Sequence, residues 1–186
     1  MLILIAEDES LIRMGLKSML EGLGHEVIAA ANGREAIRMA DRHRPDLAIL
    51  DIRMPYTDGL QAARPIAAAR PLPILLLTAY SDADLVDRAS DLPIHGYLVK
   101  PILPEELGAA VTVAAKRFAE SRAMADRMAQ LEADLAARKL IDRAKGRLMQ
   151  TGLSEEDAYR AIQTRARRER QSLIDAARDI LVSLTP

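Results

Sequence analysis

Four short apolar runs in the first hundred residues each stop at a side chain that could do chemistry. Leu2–Ala6 leads into Glu7-Asp8-Glu9, Leu47–Leu50 into Asp51, Ile74–Leu77 into Thr78, and Gly96–Val99 into Lys100-Pro101. Carboxylates converging with a lysine and a hydroxyl would form an oxygen-rich pocket. Such a pocket suits Mg2+, a hard cation that takes few carboxylates and keeps its waters. Each residue alone has a plainer reading. Glu9 reads as a solvated cap for the helix that follows, and a lone Asp51 or Lys100 would be a surface charge. The order of the groups along the chain carries the expectation.

The rest of the inventory removes other chemistries. The chain has no cysteine, which excludes disulfides, thiolate metal sites and a thiol nucleophile. His25, His43 and His95 are scattered. No G-x-x-x-x-G-K-[ST] loop is present, and Gly22-x-Gly24 lacks the third glycine of a dinucleotide fingerprint. An aspartate-nucleophile phosphatase would need a second carboxylate two residues after Asp51, where Arg53 stands.

Strand ends converge only if the strands lie side by side. Leu2–Ala6, Val27–Ala31, Leu47–Leu50, Ile74–Leu77 and Gly96–Val99 read as five strands, several apolar on successive residues as in a sheet covered on both faces. Helix-length stretches lie between them at Ser10–Glu21, Arg34–Arg42, Leu60–Ala69 and Asp82–Ser90. They are punctuated by Gly22-Leu23-Gly24, Asn32-Gly33, Pro45, Asp58-Gly59, Pro71 and Pro73. This alternation predicts an α/β fold, a five-stranded doubly wound parallel sheet with ligands beyond the carboxyl ends of its strands. Pro65 inside the third helix is expected to kink or shorten it. Leu92-Pro93-Ile94 leaves the turn before the fifth strand unusual.

The second half is written differently. Residues 1–116 carry 12 basic and 16 acidic side chains, and residues 117–186 carry 14 and 11, so a net charge of -1 conceals an acidic front and a basic rear. From Pro104 to about Met149 there is no internal proline. Leu107, Val111, Ala114 and Phe118 are spaced 4-3-4, and Met124, Met128, Leu131 and Leu135 repeat that spacing after a phase slip. A narrow apolar seam on a long helix suits a two-stranded coiled coil, hence a homodimer. Ser154-Glu155-Glu156-Asp157 opens a further helix with a capping serine and an acidic first turn. Its apolar positions are Ala158, Ile162 and Ala166. A last helix follows with Leu173, Ala177, Ile180 and Leu184.

Cations cluster on this unit. Lys139, Arg143 and Arg147 fall four apart beside the apolar face of Ile141, Ala144 and Leu148, while Arg138 and Lys145 share another flank. Arg160, Arg165, Arg167, Arg168 and Arg170 follow on the next helix. Arginines on a compact helical module favour a phosphate backbone, although interspersed acids also permit a solvated, salt-bridged surface. Small residues at Ala144, Ala158, Ala166 and Ala176 would let three helices pack closely.

Residues 1–118 resemble the receiver domain of two-component response regulators. The match lies in Glu7-Asp8, Leu50-Asp51, Met54-Pro55, Asp58-Gly59, Leu77-Thr78-Ala79 and Gly96-Tyr97-Leu98-Val99-Lys100-Pro101. The resemblance implies a flavodoxin-like fold and a sensor histidine kinase as partner, with Asp51 as phosphoacceptor. It implies Mg2+ held by Asp8 directly, by Glu7 mainly through water, by Asp51, and by the backbone carbonyl of Arg53. Lys100 would supply a point charge. Thr78 would bond the arriving phosphoryl group and Tyr97 would turn inward.

Residues 136–186 resemble an ANTAR domain, an RNA-binding antitermination output. The similarity is carried by Ala144-Lys145-Gly146-x-Leu148-Met149, Leu153-Ser154-Glu155-Glu156-x-Ala158-Tyr159, Ala166, Ala176-Ala177 and Ile180-Leu181. Arg165 and Arg167 depart from it, standing where the family more often has Leu and Met. Candidate RNA contacts are Arg138, Lys139, Arg143, Lys145, Arg147, Arg165, Arg167 and Arg168, with residues 119–135 as helical linker. The expected function is a phosphorylation-controlled antiterminator that binds leader-transcript hairpins. A DNA-binding regulator and a switch with protein-only output are the alternatives. No catalysis is expected beyond self-phosphorylation and dephosphorylation at the aspartate. A start without a basic leader, and no apolar run near the ~18 residues of a span, predict a cytoplasmic, non-membrane protein.

Overall fold

The computed structural model describes residues 1–79 and 93–183. The expected helix Asp82–Ser90, Leu92 and Leu184 lie outside the described residues. The chain divides into two compact units, Met1–Arg122 and Ala123–Pro186.

The first unit holds β1 (Leu2–Ala6), α1 (Ser10–Gly22), β2 (Glu26–Ala30), α2 (Gly33–His43), β3 (Leu47–Asp51), α3 (Gly59–Ala69), β4 (Ile74–Thr78) and β5 (Gly96–Val99). All strand pairs are parallel, in the order β2-β1-β3-β4-β5. Alternate residues of the central strands feed two cores. Leu4, Ala6, Ala48, Leu50, Ile74 and Leu76 pack under α2 and α3. Ile3, Ile5, Leu47, Ile49, Leu75 and Leu77 pack under α1 and the first turns of α4 (Pro104–Gln150). Burying each large aliphatic side chain contributes roughly 1.5–3 kcal/mol, so the two-sided sheet dominates the stability of this unit.

The chain leaves β1 toward β2 on one side and passes to β3 on the other. That reversal opens a crevice at the carboxyl ends of β1 and β3. Pairing of Ala6 with Leu50 puts Glu7 and Asp51, each one residue further on, at its two lips.

Local chemistry fixes the helices that flank it. Asn32 caps α2 by accepting the Glu35 N–H, and Glu35 answers by accepting the Ala31 N–H at 2.8 Å. Asp58 and Gln61 form a reciprocal capping box at the start of α3. Glu9 stands at the cap of α1 but makes no side-chain cap bond, so its expected role is filled in position only. Pro65 does not shorten α3, which continues to Ala69. Pro65 and Gln61, whose carbonyl loses its partner, are both exposed, so water can meet the missing bond.

The docked part of α4 buries Leu107, Val111 and Ala114, and Phe118 meets His95 edge-on with centroids 5.3 Å apart. His95 Nδ1 accepts the Ile74 N–H at 3.2 Å, and burial holds its pKa below the ordinary histidine value. The second unit contains the later part of α4, then α5 (Glu155–Glu169) and α6 (Leu173–Ser183). Ala144, Ile162, Ala166, Ala176, Ala177 and Ile180 form its core. Four of these six are alanines, which let helix backbones come close but bury little area each. Ser154 caps α5 through the Asp157 N–H, as its sequence indicates. Among the described residues no helix is long and apolar enough to cross a membrane.

Gly59 and Gly15 should respond oppositely to alanine. A Cβ on Gly59 would collide with the Asp51 carbonyl oxygen, whereas one on Gly15, exposed within α1, would meet nothing. Gly59→Ala should destabilise by about 2–3 kcal/mol, as overpacking does, and Gly15→Ala should stabilise by roughly 0.5–1 kcal/mol. Urea unfolding of the full chain measures both.

Candidate functional site

Lys100 leaves the end of β5, and its Nζ lies 2.7 Å from Glu7 Oε2 and 3.0 Å from Asp51 Oδ2. It thereby joins the ends of β1 and β3 across β4. The Lys100 N–H donates to the Thr78 carbonyl at 2.9 Å, which ties the Lys100 backbone to the end of β4. Thr78 itself is buried, and its hydroxyl donates to the Ala79 carbonyl at 3.0 Å. The Arg53 N–H bonds the Asp51 carboxylate. Tyr97 sits on the edge strand β5, partly exposed.

Asp8 is exposed, and one oxygen each from Glu7, Asp8 and Asp51 lie within 4.8 Å of one another. Glu7 Oε2 is fully buried and accepts no well-directed hydrogen bond, even though the Lys100 ammonium is close. That contact is an ion pair by distance rather than an aligned bond. A buried oxygen in this state, beside two further carboxylates, is a position a cation satisfies, so the three acids could hold a metal ion.

The electrostatics explain why the site needs cations. Burial pushes the Glu7 pKa up, the Lys100 ammonium beside it pulls it back, and the Asp51 charge pushes it up again, leaving it raised. Burial likewise raises Asp51 against the opposing pull of Lys100, with Asp8 adding repulsion. Burial opposes the Lys100 charge, but its ion pairs with Glu7 and Asp51 prevail and hold its pKa above the ordinary value.

In the second unit the cations fall into two groups. Lys145 is clamped between Asp142 at 3.5 Å and Glu155 at 2.7 Å. Arg165 and Arg168 both pair with Glu169, at 3.3 and 2.9 Å. Arg147 reaches Gln150 at 3.4 Å. Arg138, Lys139, Arg143 and Arg167 are exposed without an ion pair among the described residues. Ion pairs tie up Lys145, Arg165 and Arg168; those of Arg165 and Arg168 lie within α5, whereas Lys145 reaches Glu155 on another helix. Neither Arg165 nor Arg167 enters the bundle core, which closes on Ala166 between them.

Comparison with known proteins agrees with both halves. The response regulator receiver domain matches residues 3–112, and the ANTAR domain matches residues 129–181. The chain is a response regulator of the receiver–ANTAR type. It is similar to the transcriptional regulatory protein PdtaR of Mycobacterium tuberculosis (strain H37Rv), 45% identical over 185 residues, 98% of this chain and 90% of that protein. The signal receiver domain of a modulated diguanylate cyclase from Desulfovibrio desulfuricans G20 superposes with a TM-score of 0.60 at 34% identity, over 64% of this chain and 97% of that one. A receiver domain protein from Clostridium thermocellum gives 0.59 at 31% identity, over 62% and 94%. The receiver implies a sensor-kinase partner, and the ANTAR domain implies RNA binding.

Two receiver residues take on roles that their sequence positions do not reveal. Arg13 Nη1 donates to the carbonyls of Glu7 at 2.7 Å and Asp8 at 3.1 Å, pinning the loop that carries two of the acids. Its signal was faint: a cation near a helix N-terminus, where the dipole disfavours it. Gly59 admits α3 against the Asp51 backbone, a role that punctuation alone does not reveal.

The raised acids make a pH-dependent prediction. A carboxyl whose folded pKa is raised opposes folding above that pKa, and the penalty disappears below its unfolded value. In metal-free buffer Asp51→Asn should therefore raise the unfolding midpoint of the response regulator at neutral pH. The gain should shrink as pH falls toward 3.8, the ordinary aspartate value. A midpoint that drops instead would mean the Lys100 pair outweighs burial.

Proposed function

We propose that this response regulator accepts a phosphoryl group on Asp51 from a sensor histidine kinase and thereby controls binding of its ANTAR unit to RNA hairpins in leader transcripts. By holding those hairpins it acts as a transcription antiterminator. The observation that carries the reading is Asp51, buried at the topological crevice beside Glu7 and Lys100.

An Asp51 oxygen attacks phosphorus, the bond from phosphorus to the donor nitrogen breaks, and the imidazole leaves. Asp8, Glu7, Asp51 and the Arg53 carbonyl would hold Mg2+, which when bound offsets repulsion between the carboxylate and the incoming oxygens. Lys100 supplies the second positive charge. Thr78 bonds the phosphoryl oxygens, drawing its loop inward, and Tyr97 turns from partial exposure into the space vacated. The result is a population shift rather than turnover of a separate substrate.

The output requires two copies. Met124, Met128, Leu131 and Leu135 are 71%, 54%, 58% and 59% exposed, an apolar seam left open among the described residues. With Met128 and Leu135 at the a positions, Arg127 and Asp134 fall at g, and Glu132 and Lys139 fall at e. Parallel, in-register pairing sets Arg127 of one copy opposite Glu132 of the other, and Asp134 opposite Lys139. Two weak RNA sites joined this way gain affinity through effective concentration.

Two measurements test this. Binding to a tandem-hairpin RNA at fixed salt should be tighter than to matched duplex DNA, and tighter again with beryllofluoride and Mg2+. Equal binding to both nucleic acids, insensitive to the phosphoryl mimic, would sink the antiterminator reading. In sedimentation equilibrium Glu132→Lys should weaken the dimer several-fold, at roughly 0.5–1 kcal/mol per lost pair, and adding Arg127→Glu should restore it. An antiparallel or absent dimer would show no rescue.

A further inference from the structure

Tyr159 is the only aromatic residue after Phe118, and it is 40% exposed. On α5 the core-facing positions are Ala158, Ile162 and Ala166, so Tyr159 stands one step off that face and contributes nothing to the alanine-rich core. Tyr159 lines an open cleft of about 420 Å³ together with Asp134, Arg138, Ile141, Asp142 and Lys145 from α4. On its other side lie Glu155 and Glu156, which with Lys145 border a second, acidic opening. Arg138 has no ion pair among the described residues, whereas Lys145 is held by Asp142 and Glu155.

We infer that the Tyr159 cleft takes one unpaired nucleobase from the loop of a bound RNA hairpin, a deepening that rests on the RNA-binding reading above. The chemistry fits a base better than a backbone phosphate. The Asp142 carboxylate at the rim repels phosphate but can accept a hydrogen bond from the ring N–H or exocyclic amine of a base. Tyr159 and Ile141 offer a flat apolar surface for its face, and a single stacked base is worth roughly 1–3 kcal/mol. Arg138 remains free to meet the phosphate of the same nucleotide. Lys145 is then a positioning residue. It draws the start of α5 onto α4 through Glu155 and so sets the wall that carries Tyr159, rather than contacting the RNA.

The test uses the full chain and a two-hairpin RNA selected on it from a pool randomised in the loops. Each loop nucleotide is replaced in turn by an abasic residue. One position should lose about tenfold in affinity for the wild-type chain. Tyr159→Ala should lose about tenfold on the intact RNA and nothing more on the abasic one, while Tyr159→Phe binds both like the wild type. Asp142→Asn should alter which base is preferred at that position without changing the salt dependence, and Arg138→Ala should reduce the salt slope by about one. Circular dichroism of each variant separates lost folding from lost contact. Equal sensitivity to the abasic position in the wild type and Tyr159→Ala would overturn the base pocket while leaving RNA binding intact. A scan in which no single position matters would do the same. A pool that yields no binder would overturn the RNA reading itself, and a protein-only output would take its place.

Discussion

A single ammonium holds the chemistry of the first unit together. Lys100 reaches from the last strand, across its neighbour, to two carboxylates that would otherwise repel each other at adjacent strand ends. Removing charges from water is costly, and here that cost is only partly recovered, because burial leaves both acids with raised pKa values. The crevice is therefore a place where a second cation is welcome and where the balance of forces shifts when the charge on Asp51 changes. A site relaxed without added charge would have little to transmit.

That tension can exist only on a rigid support. The sheet is covered on both faces, and the alternation of residues into two cores leaves its central strands no freedom to slide, since a one-residue slip would exchange the faces. Glu7 and Asp51 are thus fixed by strand pairing, not by their own contacts. Gly59 and the Asp58–Gln61 capping box press α3 against the Asp51 backbone from one side, while Arg13 pins the loop of Glu7 and Asp8 from the other.

The second unit follows the opposite economy of design. Its alanine-rich core brings three helical segments close while burying few large side chains, so most long residues stay on the surface. Some of those charges neutralise one another, as Lys145 does with Asp142 and Glu155. Others, such as Arg138, Lys139, Arg143 and Arg167, do not. An exposed methionine–leucine seam at the start of this unit and a lone exposed tyrosine further along it are apolar surfaces left uncovered among the described residues.

The sequence by itself determined the strand–helix order of the described residues, the five strands to within a residue, and the acids and lysine at their ends. Those features are local: apolar runs, glycine and proline punctuation and spacing report them directly. It also determined the long helix, the Ser154 cap and the small residues of the bundle. The tertiary structure decided what depends on partners distant in the chain. Only strand order brings Lys100 to Glu7, 93 positions earlier. Only packing shows that Glu9 caps nothing with its side chain, that Pro65 is tolerated on a solvated face, and that Arg13 and Gly59 serve the acidic site. In the basic half, spacing along a helix reports the Arg165–Glu169 pair, four apart on α5, but not which acid on another helix a cation meets. The pairing of Lys145 with Glu155 across two helices, and the meeting of Tyr159 with Arg138 in one cleft, arise from the fold alone.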